Sequence, residues 1–175
     1  GGVGLIAGQW AKAIGATIIG TVSSAEKAEL AKANGYTHVI NYKAEDFVAR
    51  VKEITGGAGV DAVYDSIGAD TYPASLDCLK PLGMWVSFGQ ASGPIQNFAQ
   101  QDLAQRGSLF ATRPTLFTYI ATRERLDANA ADLFAVVASG KVSIEVGQTF
   151  PLVEAAEAHR ELEGRRTTGS NVILP

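Results

Sequence analysis

One cysteine, one methionine and two histidines are the only sulfur and imidazole metal ligands in this chain of 175 residues. A lone Cys78 excludes an internal disulfide and any cysteine-based zinc cluster. His38 and His159 lie too far apart in sequence to argue for a metal pair, and both are read as structural. Excess charge is also lacking. Fifteen Lys and Arg against 18 Asp and Glu leave a net charge of −3, which argues against a general nucleic-acid binder. No apolar run approaches the roughly twenty residues that a membrane helix needs. No signal peptide is read, although a fragment is not expected to show one, and a cytoplasmic location is expected. Hydrophobic residues make up 46% of the chain, which argues against disorder and fits one domain with one good core.

Glycine is plentiful, and it opens the chain: Gly1-Gly2-Val3-Gly4 runs straight into an apolar stretch. Val3, Ile6, Trp10, Ala13 and Ile14 recur at spacings of three and four, which predicts a helix that stops at Gly15. The first N–H groups of a helix have no intrahelical partner, and the helix dipole adds partial positive charge there. Glycines at that point let a phosphate approach the backbone closely. A short glycine cluster alone is weak evidence, and a plain flexible start to the helix fits it equally well.

The following run, Ala16-Thr17-Ile18-Ile19-Gly20-Thr21-Val22, reads as a buried parallel strand. It ends at Ser23-Ser24, about twenty residues after the glycines, where a dinucleotide fold meets the adenosine ribose. A carboxylate there would repel a 2′-phosphate, whereas Ser23, Ser24 and Lys27 would accept one. Ser23-x-x-Glu26 also fits a capping box for the next helix, and both roles can hold. Further on, a helix over about 25–34 precedes a strand at His38-Val39-Ile40, and a helix carries Phe47, Val48, Val51 and Ile54. A strand follows at Val60–Asp65, then a helix with Tyr72, Leu76 and Leu79, and a strand Met84-Trp85-Val86-Ser87-Phe88. Ser108-Leu109-Phe110-Ala111-Thr112 is another strand, and Leu126, Ala130, Leu133, Phe134 and Val137 mark a longer helix. Such alternation means βαβ units and a parallel sheet with helices on both faces.

These residues carry a resemblance. The chain resembles the nucleotide-binding half of the medium-chain dehydrogenase/reductase superfamily, in the NADPH quinone oxidoreductase branch related to zeta-crystallin. It rests on Gly1-Gly2-Val3-Gly4 with Gln9, on Gly20-Thr21-Val22-Ser23 with Lys27, on Asn41-Tyr42 and on Val63-Tyr64-Asp65-Ser66-Ile67-Gly68. Ser87-Phe88-Gly89, Thr112-Arg113-Pro114-Thr115-Leu116 and the tail Arg165-Arg166-Thr167-Thr168-Gly169-Ser170 complete it. The resemblance implies an α/β, doubly wound parallel sheet of Rossmann type, lacking its first strand in this fragment. The strand order 3-2-1-4-5-6 would put that strand between those ending at Val22 and Asp65. It further implies an NADPH-binding domain over 1–140 and a C-terminal segment, 141–175, returning toward a catalytic domain. Val142-Ser143-Ile144-Glu145 and Asn171-Val172-Ile173-Leu174 are the returning strands of that segment.

For the parent protein the resemblance implies hydride transfer from NADPH to quinones or activated enones. The backbone of Gly1, Gly2, Val3 and Gly4 would hold the pyrophosphate. Ser23, Ser24, Lys27, Tyr42 and Arg165 would surround the 2′-phosphate. Ser66, Ile67, Gly89 and Gln90 would line the ribose and nicotinamide, with Phe117 and Thr118 at the carboxamide. Asp65 and Arg113 are read as scaffold residues. No acid or base is nominated, since such groups lie mostly in the absent domain, as do the zinc ligands of related alcohol dehydrogenases. A homodimer through the edge strand near Phe110 is implied, with no nucleic acid and no membrane as partner. The alternative is a nucleotide-binding or dimerisation module without turnover of its own. A methyltransferase is a weaker third reading, because it wants an acidic residue after the second strand.

Overall fold

The computed structural model describes residues 2–164 and 166–175, so Gly1 and Arg165 lie outside the described residues. Two compact units organise the chain: residues up to Asn41 together with Ala128–Pro175, and Tyr42–Asp127. Seven described strands pair, all in parallel, as β1–β2, β3–β4–β5 and β6–β7.

In the first unit the glycine-led segment forms α1 (Gly2–Ala13), followed by β1 (Ile19–Val22), α2 (Ala25–Ala33) and β2 (His38–Asn41). Ser24, not Ser23, caps α2: its Oγ accepts the Lys27 N–H at 3.3 Å, which corrects the expected capping box. What lets α1 and β1 come together is missing side chain. A Cβ on Gly8 would lie 2.5 Å from the Tyr36 ring, and a Cβ on Gly20 would lie equally close. The ring fills the space that both glycines leave, and its hydroxyl donates to the Gly4 carbonyl at 2.8 Å. Burial of that hydroxyl raises its pKa, so it stays a donor at neutral pH.

The same unit holds the chain from Ala128 onward. α7 (Arg123–Ala138) has no buried residue, and Leu126 and Phe134 on its expected apolar face are exposed. Beyond it Val142 is fully buried, and the Gln9 amide clamps Ser143, donating to its carbonyl at 3.1 Å and accepting its N–H at 2.7 Å. Residues 142–145 therefore are not the strand that the sequence suggested. The side chain of Gln9 takes over the hydrogen bonds of Ser143 that a ladder would make, and pairing begins later, in β6 (Val146–Pro151). The 3₁₀ turn Leu152–Glu154 and α8 (Ala155–Glu163) lead to β7 (Ser170–Leu174), which pairs with β6 as Phe150↔Ile173.

The second unit begins after Asn41. Asp46 caps α3 (Phe47–Ile54), accepting from Val48 and Ala49 at 2.9 and 3.2 Å. β3 (Val60–Asp65) leads through the short α4 (Ala74–Asp77) into β4 (Leu79–Ser87). The sequence pattern overextended that helix. Leu79 belongs to the strand, opposite Val60, and the register then jumps so that Ala62 faces Met84. Cys78, at the junction, is buried, and desolvation with the nearby Asp77 pushes its thiol up to about 11. α5 (Gln100–Gln105), β5 (Phe110–Thr112) and α6 (Leu116–Tyr119) complete the unit. Leu76, Leu79, Trp85 and Leu109 form its core, with Tyr72, Trp85 and Phe98 as an aromatic trio at centroid distances of 5.8–6.0 Å. Among the described residues β1 and β3 each have one open edge. These are the two strands between which the resemblance places a further strand.

Asp65, buried at the end of β3, organises the turn that follows. Its Oδ1 accepts the N–H groups of Ile67 and Gly68 at 2.8 and 3.2 Å, and its Oδ2 accepts the hydroxyls of Thr71 and Ser75 at 2.8 and 2.7 Å. Burial pushes the carboxyl up, but these four donors together outweigh it and hold it below the ordinary carboxylate value. A depressed folded-state pKa contributes stability that is full above the unfolded pKa and is lost as pH falls through the folded one. Asp65→Asn keeps the shape but cannot accept from both hydroxyls on its amide nitrogen. It should cost about 2–3 kcal/mol at pH 7. In urea unfolding from pH 7 to pH 3, the gap between variant and parent should narrow as the parent's carboxylate protonates. A gap independent of pH would mean that the charge plays no part.

Candidate functional site

The predicted site residues fall into two sets, one in each unit, apart from Gly1 and Arg165, which lie outside the described residues. In the first unit Gly2, Val3 and Gly4 form the opening turn of α1, with no acidic side chain in that turn to compete for its N–H groups. Val3 is exposed, whereas Gly2 and Gly4 are half-buried: a Cβ on Gly2 would lie 3.1 Å from the Gly169 carbonyl oxygen and one on Gly4 3.4 Å from the Tyr36 hydroxyl. Ser23 follows β1 directly, and its hydroxyl has no hydrogen-bond partner among the described residues. The Ser24 hydroxyl accepts the cap bond from Lys27 and retains its own proton for donation. Lys27 is thereby held in the first turn of α2.

In the second unit Tyr42 comes straight after β2 and is 41% exposed. Ser66 and Ile67 sit in the turn that Asp65 holds, and Gly89 and Gln90 follow β4. The structure brings these four together. Phe88 and Gly89 donate to the Asp65 carbonyl, Ala91 to that of Ser66 at 3.1 Å and Ser92 to that of Ile67 at 2.8 Å. Gly89 lies so close that a Cβ there would come within 2.5 Å of the Ser66 carbonyl oxygen. Backbone faces backbone, so only glycine fits. Ladder bonding thus continues past the strands into two connected loops, and this fixes the platform at the C-terminal ends of β3 and β4, the edge at which open α/β sheets bind ligands.

Phe117 and Thr118 lie on α6, where Phe117 is 82% exposed and the Thr118 hydroxyl pairs with that of Thr115 at 2.8 Å. No contact joins them to the Ser66–Gln90 platform among the hydrogen bonds described. Arg113 is tied in more closely: its Nη1 donates to the Ser87 carbonyl at 2.9 Å. Tyr36 was not singled out by sequence reasoning, although its hydroxyl bears on the opening turn of α1. A tyrosine between two short elements gives no periodic signal. Only its spacing from Gly8 and Gly20 in three dimensions reveals it.

The residues present fit a dinucleotide. Backbone N–H groups at a helix start with no acidic side chain beside them suit a pyrophosphate, and a hydroxyl with a lysine one turn on suits a phosphate monoester. Zinc is a different case. Among the described residues no three His, Cys, Asp or Glu side chains gather at metal-binding distance, so these residues supply no zinc ligand set. No described helix is long and apolar enough to cross a membrane.

Comparison with known proteins agrees with this geometry. A quinone oxidoreductase of Pseudomonas aeruginosa is 53% identical over 175 residues, which is all of this chain and 54% of that protein. A 2-haloacrylate reductase of a Burkholderia species is 52% identical, over all of this chain and 53% of its own length. The crystal structure of Escherichia coli quinone oxidoreductase complexed with NADPH superposes with a TM-score of 0.97 at 51% identity, covering the whole of this chain and 54% of that one. The chain thus spans about half the length of the curated relatives it matches. The zinc-binding dehydrogenase family profile matches residues 2–134, well over half of the sequence, and the chain belongs to that family.

Proposed function

We propose that this chain is the NADPH-binding part of an oxidoreductase that reduces quinones or other activated enones. The observation that carries the reading is the set formed by the α1 start and the residues after β1. Here glycine backbone, a free Ser23 hydroxyl and Lys27 stand where a dinucleotide's phosphates would lie. Its close relatives support it, being named as quinone oxidoreductases and a 2-haloacrylate reductase, and one being crystallised with NADPH.

When bound, NADPH supplies the hydride. The chain's own residues bind and orient. The N–H groups of Gly1, Gly2, Val3 and Gly4 take the pyrophosphate, aided by the positive end of α1. Ser23, Ser24, Lys27, Tyr42 and Arg165 take the 2′-phosphate: Lys and Arg give the opposite charge, and the serines and Tyr42 give hydroxyl donors. Ser66, Ile67, Gly89 and Gln90 would line the ribose and nicotinamide, and Phe117 and Thr118 would contact the carboxamide. Residues 1–140 form the nucleotide-binding domain in this reading, and 141–175 lead toward the catalytic one. The protein acts in the cytoplasm.

Lys27→Glu should weaken NADPH binding by about tenfold to a hundredfold and leave NADH binding nearly unchanged. Titration calorimetry with both nucleotides on the full-length protein reads the difference. Equal affinities for NADPH and NADH before mutation would end the 2′-phosphate assignment.

The 175-residue chain alone should oxidise NADPH with benzoquinone no faster than the uncatalysed reaction, because hydride and acceptor need both walls of a cleft to be aligned. Stopped-assay rates matching those of an intact relative would place the whole active site within these residues.

We also propose a homodimer through β5. Phe110 is 56% exposed, among the described residues β5 is paired only with β4, and no Lys or Pro lies within β5 to blunt its open edge. Antiparallel pairing with a second copy would satisfy that edge. Phe110→Pro removes a ladder donor and should shift the full-length protein toward monomer in light scattering across a concentration series. A parent protein that is monomeric throughout would defeat this assignment.

A further inference from the structure

Asp65 holds the turn after β3 from one side, and a second side chain holds it from the other. Ser92, in the loop that follows β4, donates its N–H to the Ile67 carbonyl at 2.8 Å and its hydroxyl to the same oxygen at 2.9 Å. That hydroxyl also accepts the Asp70 N–H at 3.0 Å. Ile67 is thus gripped at both of its backbone groups, its N–H by the Asp65 carboxylate and its carbonyl by Ser92. The next residue closes the arrangement. Gly68 has a φ of 92°, and a Cβ on it would lie 2.7 Å from the Gly93 carbonyl oxygen. That oxygen accepts the Ala69 N–H at 3.3 Å, so the two loops meet backbone to backbone, where only glycine fits.

These bonds decide what the turn can offer a ligand. Asp65 and Gly68 are buried, whereas Ser66 and Ile67 between them are half-buried. The carbonyls of Ser66 and Ile67 and the N–H of Ile67 are all spent within the protein. What remains for a ligand is mainly the two side chains, carried on a backbone that cannot shift without breaking these hydrogen bonds. A surface fixed before binding costs the ligand no ordering, and a displacement of about 1 Å at a reacting group can cost about a hundredfold in rate. We propose that Asp65 and Ser92 are positioning residues for the nicotinamide end of the dinucleotide. Neither needs to touch the ligand. Both act through Ile67, holding the Ser66–Ile67 face in the pose that presents the hydride donor. The inference rests on the nucleotide reading and brings into the site a residue, Ser92, that its sequence motifs did not single out.

The test is calorimetric titration of the full-length protein with NADPH and with adenosine 2′,5′-bisphosphate, which carries the adenosine end and no nicotinamide. Ser92→Ala should weaken NADPH by about tenfold while leaving the bisphosphate within about twofold. Ser92→Thr keeps the hydroxyl and should bind both ligands as the parent does. Asp65→Asn should show the same split more strongly. Should that variant fail to fold, Ser92→Ala still decides, since Ser92 is only half-buried. A merely structural role would loosen the fold and weaken both ligands by one factor. That equal loss overturns the proposal, as does an unchanged NADPH affinity in Ser92→Ala, or a Ser92→Thr protein that behaves like Ser92→Ala. The two readings fail differently. A parent protein that binds neither ligand strikes the nucleotide reading and this one with it, whereas a parent that binds both, with no split in Ser92→Ala, strikes the positioning role alone.

Discussion

Two N–H groups and two hydroxyls converge on the carboxylate of Asp65, and this convergence decides where the chain can go after β3. The acceptor lies at the end of a strand, where ladder bonding would ordinarily stop. By taking the N–H groups of Ile67 and Gly68 it bends the chain at once. By taking the hydroxyls of Thr71 and Ser75 it ties the turn to the approach and first turn of α4. The carbonyls of Asp65, Ser66 and Ile67 then remain open to the loop after β4, which donates to each of them. A charge that is costly to bury is thereby fully solvated by the protein itself, and its surroundings gain rigidity from the arrangement. The candidate ligand platform is a by-product of that solvation.

The first unit solves a similar problem without charge. Its helix and strand are drawn together over two glycines, and one aromatic ring supplies the volume that two missing side chains leave. Because the ring's hydroxyl reaches the Gly4 carbonyl, the packing of α1 and the pose of its first turn are one feature. The amide of Gln9 does the same for a distant stretch of sequence, holding Ser143 through both of its backbone groups. Polar side chains here act as substitute backbone.

Periodicity made the strongly patterned elements legible in the sequence. α1, α2, α3 and α7 lie close to where their spacing puts them, and so do β2 and β3. The misreadings share a cause. Leu79 has the spacing of a helical residue after Tyr72 and Leu76, but the chain leaves α4 after one turn because Leu79 pairs opposite Val60. Residues 142–145 look extended and apolar, yet Gln9 intercepts them before a strand can form. The polar α5 has no apolar stripe to announce it. In the candidate site the glycines, serines and Lys27 could be found because phosphate chemistry restricts residue type at known spacing. Tyr36 could not, since what marks it is a volume filled between two glycines distant in sequence, and that has no sequence signature.

Cys78 shows how the second unit can report on itself. With its thiol pushed up to about 11, only about one molecule in ten thousand carries a thiolate there at pH 7, and burial at the α4–β4 junction bars reagents from even that fraction. Alkylation must therefore wait until the α4–β4 junction opens. The chain's single sulfhydryl is in effect a clock built into the core, one that runs only while the core is open.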